Sequence, residues 1–175
     1  CWRIREKIMD INEATAGNRV VVSVNVIGGV RRDLDGDQIR WIRETLDEAE
    51  KDIKRLRGVL LEDYTVKRRT KGIGILTKEQ AYALGAAGPT LRGSGIAQDM
   101  RQLNYAAFPN LDFAPVSVED GDCWARAKVR FEETLQSIDL VRQALDKLPQ
   151  GELAAKPKGK PEGEIVSRVE QPRGE

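Results

Sequence analysis

Apolar residues recur between positions 39 and 60 at steps of three and four: Ile39, Ile42, Leu46, Ala49, Ile53, Leu56 and Leu60. That spacing predicts a long amphipathic helix whose seam packs along another helix. Asp35 stands where it can cap the start, and Gln38, three residues on, completes a capping box. Arg43, Glu44, Asp47, Glu48, Lys51, Lys54 and Arg55 fall on the other faces, read as solvated surface, and Gly58 is a candidate break or bend. A second seam, from Trp124 through Ala127, Phe131, Leu135, Ile138, Val141 and Leu145 to Leu148, predicts a helix over 122–148. Asp120 or Asp122 caps it, and Pro149 with Gly151 ends it.

Shorter helices are predicted over 2–16, stopped by Gly17-Asn18, over 78–84, and from Ile96 to Arg101. The period changes over 20–27, where Val22, Val24 and Val26 alternate with Ser23 and Asn25. This predicts a half-buried strand closed by Gly28-Gly29. Residues 164–171 alternate again and predict another strand. The fold class expected is mainly α: a helical bundle with two long amphipathic helices and a small β element. Residues 1–150 form the scaffold, 151–163 a Pro-, Gly- and Lys-rich connector, and 164–175 the start of a strand.

Composition narrows the chemistry. The chain has 175 residues, enough for one ordinary domain with a real core. Lys and Arg number 29 against 28 Asp and Glu, so no basic excess points to nucleic acid. No apolar run is long enough to span a membrane, and no signal peptide is visible. The chain contains no histidine, which removes imidazole acid/base catalysis and the usual zinc and non-haem iron sites. Cys1 and Cys123, far apart, suit a reducing compartment. The chain begins at Cys1 instead of Met, as expected of a segment of a longer protein. Its seams, uncovered by missing helices, predict self-association.

The stretch GPTLRGSGIAQDMR, residues 88–101, has the Gly-x4-Gly opening of a phosphate loop. Ser94 and Gly95 occupy the positions where such a loop needs Lys and a hydroxyl residue, so the pattern fails. Pro89 sets a turn there, and Gly93 and Gly95 permit close backbone approach. Arg92 then lies in a crowded turn where a guanidinium can bridge carbonyls or carboxylates. Adjacent Glu132 and Glu133 point about 100° apart on a helix and read as a solvated face, not an acid/base pair. Cys123, with no His in the chain, reads as a packed small hydrophobe. The basic run VKRRTKG (66–72) lacks the aromatic residues that single-strand binders interleave and suits a contact with a neighbouring subunit.

Five blocks occur in order: REKIMDINEATAGNRV, GGVRRDL, GIGILTKEQAYALGAAGPTLRGSGIAQDMR, DGDCWARAKVRFEETLQSIDLVRQALDKLP and VEQPRGE. Together they resemble the central part of the catalytic large subunit in the nickel–iron hydrogenase and complex I superfamily. The nearest resemblance is to energy-converting, membrane-bound hydrogenases of the Ech and CO-induced type. For the full-length subunit this implies a Ni-Fe centre interconverting H2 and protons. It also implies iron–sulfur clusters in a partner small subunit, membrane subunits, and a peripheral place on the cytoplasmic side. Arg19, Arg92, Gly93, Ser94, Gly95 and Asp99 fall in motifs that serve structure or contacts between subunits. Arg173, in Pro-Arg-Gly, falls where the hydrogenase branch places an arginine in the outer shell of the metal site. The family holds its metal with thiolates of two Cys-x-x-Cys motifs, and neither is present. This stretch is therefore expected to hold no metal and to be inactive alone. Two alternatives remain: the quinone-site subunit of a complex I-type NADH dehydrogenase, and a non-catalytic helical interaction module. Val20-Val21 after Gly17-Asn18-Arg19, where the quinone branch commonly has a His, and Arg173 in place of its Lys weigh against the quinone branch.

Overall fold

The structure is a computed structural model describing residues 1–159 and 162–170. The chain divides into two compact units: Cys1–Asp52 with Leu145–Ile165, and Ile53–Ala144 with the chain from Val166 onward. Helices dominate both, with a two-stranded antiparallel sheet in the first.

In the first unit, α1 (Trp2–Ala16) ends at Gly17, whose φ of +79° is the left-handed conformation that lets its N–H return to the Glu13 carbonyl at 2.8 Å. The valine-rich run 20–27 is a strand only at its end. Asn25–Val26 (β1) pairs with Gly29–Val30 (β2) around a tight turn, while Val20, Val21 and Val22 remain exposed. A ladder needs a partner of equal length, and the hairpin supplies only two residues. Residues 153–155 of the expected connector lie along the hairpin, with Val30 N–H donating to the Leu153 carbonyl at 2.9 Å and Ala155 N–H to that of Gly28 at 3.0 Å. A Cβ on Gly28 or Gly29 would stand 2.1 Å from a carbonyl oxygen of this segment, so the contact requires glycine at both positions. The long helix α2 (Gly36–Glu62) starts here with the expected capping box: Gln38 N–H donates to Asp35 Oδ1 at 2.8 Å, and Asp35 N–H to Gln38 Oε1 at 3.1 Å. Ile42, Leu46 and Ala49 are buried, as the seam predicts.

In the second unit α2 continues with Ile53 and Leu61 buried, and it runs through Gly58 without a break. A short helix not anticipated from the pattern, α3 (Tyr64–Thr70), is capped by Asp63, which accepts from Val66 N–H at 2.8 Å. Helix α4 (Lys78–Ala83) carries a Thr77/Gln80 capping box. Helix α5 (Gly88–Arg92) places Pro89 in its first turn, where the missing N–H is no loss. The expected helix over 96–101 is not formed. Residues 96–99 form no regular element, and a single 3-10 turn follows at Met100–Leu103, with a second at Phe108–Asn110.

Helix α6 (Cys123–Asp146) is capped by Asp122, which accepts from Ala125 N–H at 2.8 Å and, with its other oxygen, from Gly72 N–H at 2.7 Å. Its buried face is Ala125, Val129, Ile138 and Leu140, so of the predicted seam only Ile138 is fully buried. The reason is that α6 is covered from more than one side. Arg57 of α2 bonds Glu132 at 2.8 Å, and the Gly93 turn presses on the backbone at Arg126. A single a/d stripe does not describe a helix packed that way. In the first unit, Arg43 of α2 pairs with Asp146 at the end of α6 at 2.6 Å.

Candidate functional site

The second unit holds a buried charge cluster centred on Arg92, whose side chain is 2% exposed. The guanidinium uses its whole fork. Nε donates to Glu133 of α6, Nη1 donates to Glu170 Oε2 and to the Gln98 carbonyl, both at 3.0 Å, and Nη2 donates to Glu170 Oε1 at 2.6 Å. Asp99 lies 3.3 Å from Nη1. A buried cation is tolerated only when paired and hydrogen-bonded in this way. Desolvation opposes its charge, but hydrogen bonds to Glu170 and Glu133 outweigh it and raise its pKa further.

Asp99 is gripped in turn by Arg101, Nε to Oδ1 at 2.9 Å and Nη2 to Oδ2 at 2.7 Å. Burial pushes its carboxyl up, but the Arg101 bonds prevail and hold it below the usual carboxylate range. Arg92 and Asp99 are therefore both charged at neutral pH, and the cluster is suited to holding chain segments in place, not to moving protons.

The glycines around it are explained by crowding. A Cβ on Gly93 would lie 2.9 Å from Arg126 Cγ, 3.1 Å from the Pro89 carbonyl oxygen and 3.3 Å from Arg126 N. Gly95 has φ +82° beside Glu119. Ser94 donates its hydroxyl to the Leu76 carbonyl at 2.8 Å, tying the turn to the segment before α4. A cleft of about 640 Å³ opens beside the cluster, walled by Tyr105, Phe108, Leu140 and Val141 and floored by Arg92, Asp99 and Glu170.

The structure thus gathers five of the singled-out residues, Arg92, Gly93, Ser94, Gly95 and Asp99. Arg19 belongs to the first unit, where it pairs with Asp10 at 2.6 Å, Glu13 at 3.0 Å and Glu6. Arg173 lies outside the described residues. Three participants, Arg101, Glu133 and Glu170, were not singled out for the site. The solvated-face reading of Glu132 and Glu133 is overturned: the two diverge, as adjacent helical residues must, and each meets an arginine, Arg57 and Arg92 respectively. Cys123 is half-buried and accepts from Arg126 Nη2 at 3.1 Å.

The donors in this stretch do not match a thiolate-bound Ni-Fe centre. There are two thiols, Cys1 in the first unit and Cys123 in the second, and no arrangement of three or more His, Cys, Asp or Glu suited to a metal occurs among the described residues. The three carboxylates that do converge are occupied by a guanidinium.

Residues 1–160 match the family described as the respiratory-chain NADH dehydrogenase, 49 Kd subunit. The chain belongs to that family. It is 41% identical to a carbon monoxide-induced hydrogenase of Rhodospirillum rubrum, over 98% of this chain and 48% of that protein. It is 39% identical to the C/D subunit of an NADH-quinone oxidoreductase of Phocaeicola vulgatus, over 99% of this chain and 34% of the relative. The alpha subunit of a membrane-bound hydrogenase of Pyrococcus furiosus is 37% identical, over 99% and 45%. In three dimensions the chain resembles a chain from the membrane-bound sulfane sulfur reductase, an archaeal respiratory membrane complex. There the TM-score is 0.81 at 35% identity, over 89% of this chain and 43% of that one. The family is one of oxidoreductase subunits, and the chain spans less than half the length of these relatives. Among the described residues no helix is long and apolar enough to cross a membrane.

Proposed function

We propose that this chain is the helical scaffold of the catalytic large subunit of a membrane-associated oxidoreductase complex, in the hydrogenase branch of its family. The observation that carries the branch is Pro172-Arg173-Gly174 in a chain without a single histidine. Imidazole proton chemistry has no residue here, whereas Arg173 supplies a planar, permanently charged fork of donors. In this reading the rest of the full-length subunit supplies the thiolates for a Ni-Fe centre that interconverts H2 and protons. A partner small subunit supplies iron–sulfur clusters, membrane subunits lie alongside, and the whole sits peripherally on the cytoplasmic face. Arg173 faces the reaction centre. The buried cluster of Arg92 and Asp99, with Gly93, Ser94 and Gly95, is structural support, and Arg19 serves where subunits meet.

The test is Arg173→Lys in the full-length, assembled subunit. Charge is kept and the fork is lost, so nickel content stays at the wild-type level while H2 turnover falls by roughly a hundredfold, the scale of one preorganised donor. Wild-type turnover in that variant would remove Arg173 from the chemistry. The exposed Val20, Val21 and Val22 support self-association of this stretch when isolated. Light scattering at micromolar concentration would then show species larger than a monomer.

A further inference from the structure

We infer that Arg92 is a positioning residue: its two-pronged bond to Glu170 is the latch that fixes the segment leading into Pro172-Arg173-Gly174. This rests on the reading of Arg173 given above. Glu170 is three residues ahead of Arg173 in the chain. The segment 162–170 has no helix or strand, and residues 162–169 are exposed, with Val166 82% and Val169 56% accessible. Apolar burial therefore does not hold it. The Glu170 carboxylate does: its side chain is 10% exposed, and Arg92 Nη1 and Nη2 meet its two oxygens at 3.0 and 2.6 Å.

A bidentate carboxylate–guanidinium pair fixes direction as well as distance, which a single contact cannot do. Met100 N–H adds a weak third contact to Oε2 at 3.4 Å. The latch is itself fixed. Arg92 is held by Glu133 from α6 and by the Gln98 carbonyl, and Asp99 beside it is locked by Arg101. The GPTLRGSG turn therefore acts on a segment 78 residues away in sequence. Its role is to set where the chain enters the Pro-Arg-Gly motif.

The experiment uses the assembled complex with the full-length subunit. Glu170→Gln leaves Arg92 with two buried carboxylates, Asp99 and Glu133, and removes one prong of charge. Tryptic cleavage after Arg168 is expected to speed up at least tenfold, with α2 and α6 staying resistant. Turnover is expected to fall about tenfold beside Arg173, and by no further factor in an Arg173→Lys background. Unchanged cleavage after Arg168 would overturn the latch. A loss that multiplies fully with that of Arg173→Lys would overturn its action through Arg173. If Arg173→Lys alone is silent, the functional reading fails while the cleavage rate still decides the latch. Where Glu170→Gln does not assemble, Arg92→Lys keeps the buried cation but cannot span both oxygens, and the same pattern is expected.

Discussion

In each of the two units one arginine faces three carboxylates. Arg19 meets Glu6, Asp10 and Glu13, with its side chain 37% exposed. Arg92 meets Asp99, Glu133 and Glu170 at 2% exposure. The charge inventories are identical and the consequences are not. Around Arg19 the acids sit on one helix, water screens them, and removal leaves each carboxylate hydrated. Around Arg92 the acids come from separate parts of the chain, and removal strands them away from water. Identical ion-pair counts therefore say little until burial and sequence separation are known.

The largest effect expected from breaking this contrast is Arg92→Met. With three carboxylates left near an apolar side chain, the chain should lose about 3–5 kcal/mol of stability, read as a drop in the urea midpoint. Next is Gly93→Ala. The added methyl meets Pro89 and Arg126 backbone atoms at 3.1 and 3.3 Å, which cannot swing aside. A loss of about 1–3 kcal/mol follows, measured the same way.

Acid titration probes the buried cluster through Asp99. The folded pKa of Asp99 is depressed, so its contribution is present above the ordinary carboxylate value of about 3.9 and is lost as pH falls through the folded value. Stability of the wild type should therefore fall on acidification from pH 5 toward pH 2, and Asp99→Asn should show a shallower slope. A steeper slope in the variant would show that Asp99 is not the group being titrated. The smallest effect belongs to Arg19→Ala. Its thermal midpoint should move little, and what movement there is should vanish in high salt, whereas the Arg92→Met loss should persist there.

The two clusters also mark how far the sequence could be read. Local rules found what local contacts decide: the Asp35–Gln38 box, the Asp122 cap and the α2 seam from Ile42 to Ile53 stand as the spacing predicts, while at the end of α2 Leu61 is buried where the seam has Leu60. The Thr77–Gln80 box obeys the same rule and could have been read. Arg92 was legible as a bridging residue because its turn is rich in glycine. Its acceptors were not, because Glu133 and Glu170 lie 41 and 78 residues further along and nothing in their own neighbourhoods marks them as buried. The same limit explains the valine run, whose alternation is that of a strand but whose pairing partner is two residues long. Residues 164–171 alternate equally well, yet over the described part they follow Arg92 instead of a neighbouring strand.

The pairing of α2 with α6 through Arg57 and Glu132 has a consequence during synthesis. Arg57 and Glu132, which join the helices in the second unit, are 75 residues apart. At about 5–20 residues per second, α2 leaves the ribosome roughly 4–15 s before its partner is made. Over that interval Ile53 and Leu61, both buried in the finished unit, wait for the rest of that unit to be made. A nascent chain stalled before α6 should therefore bind holdases more strongly than one stalled after it.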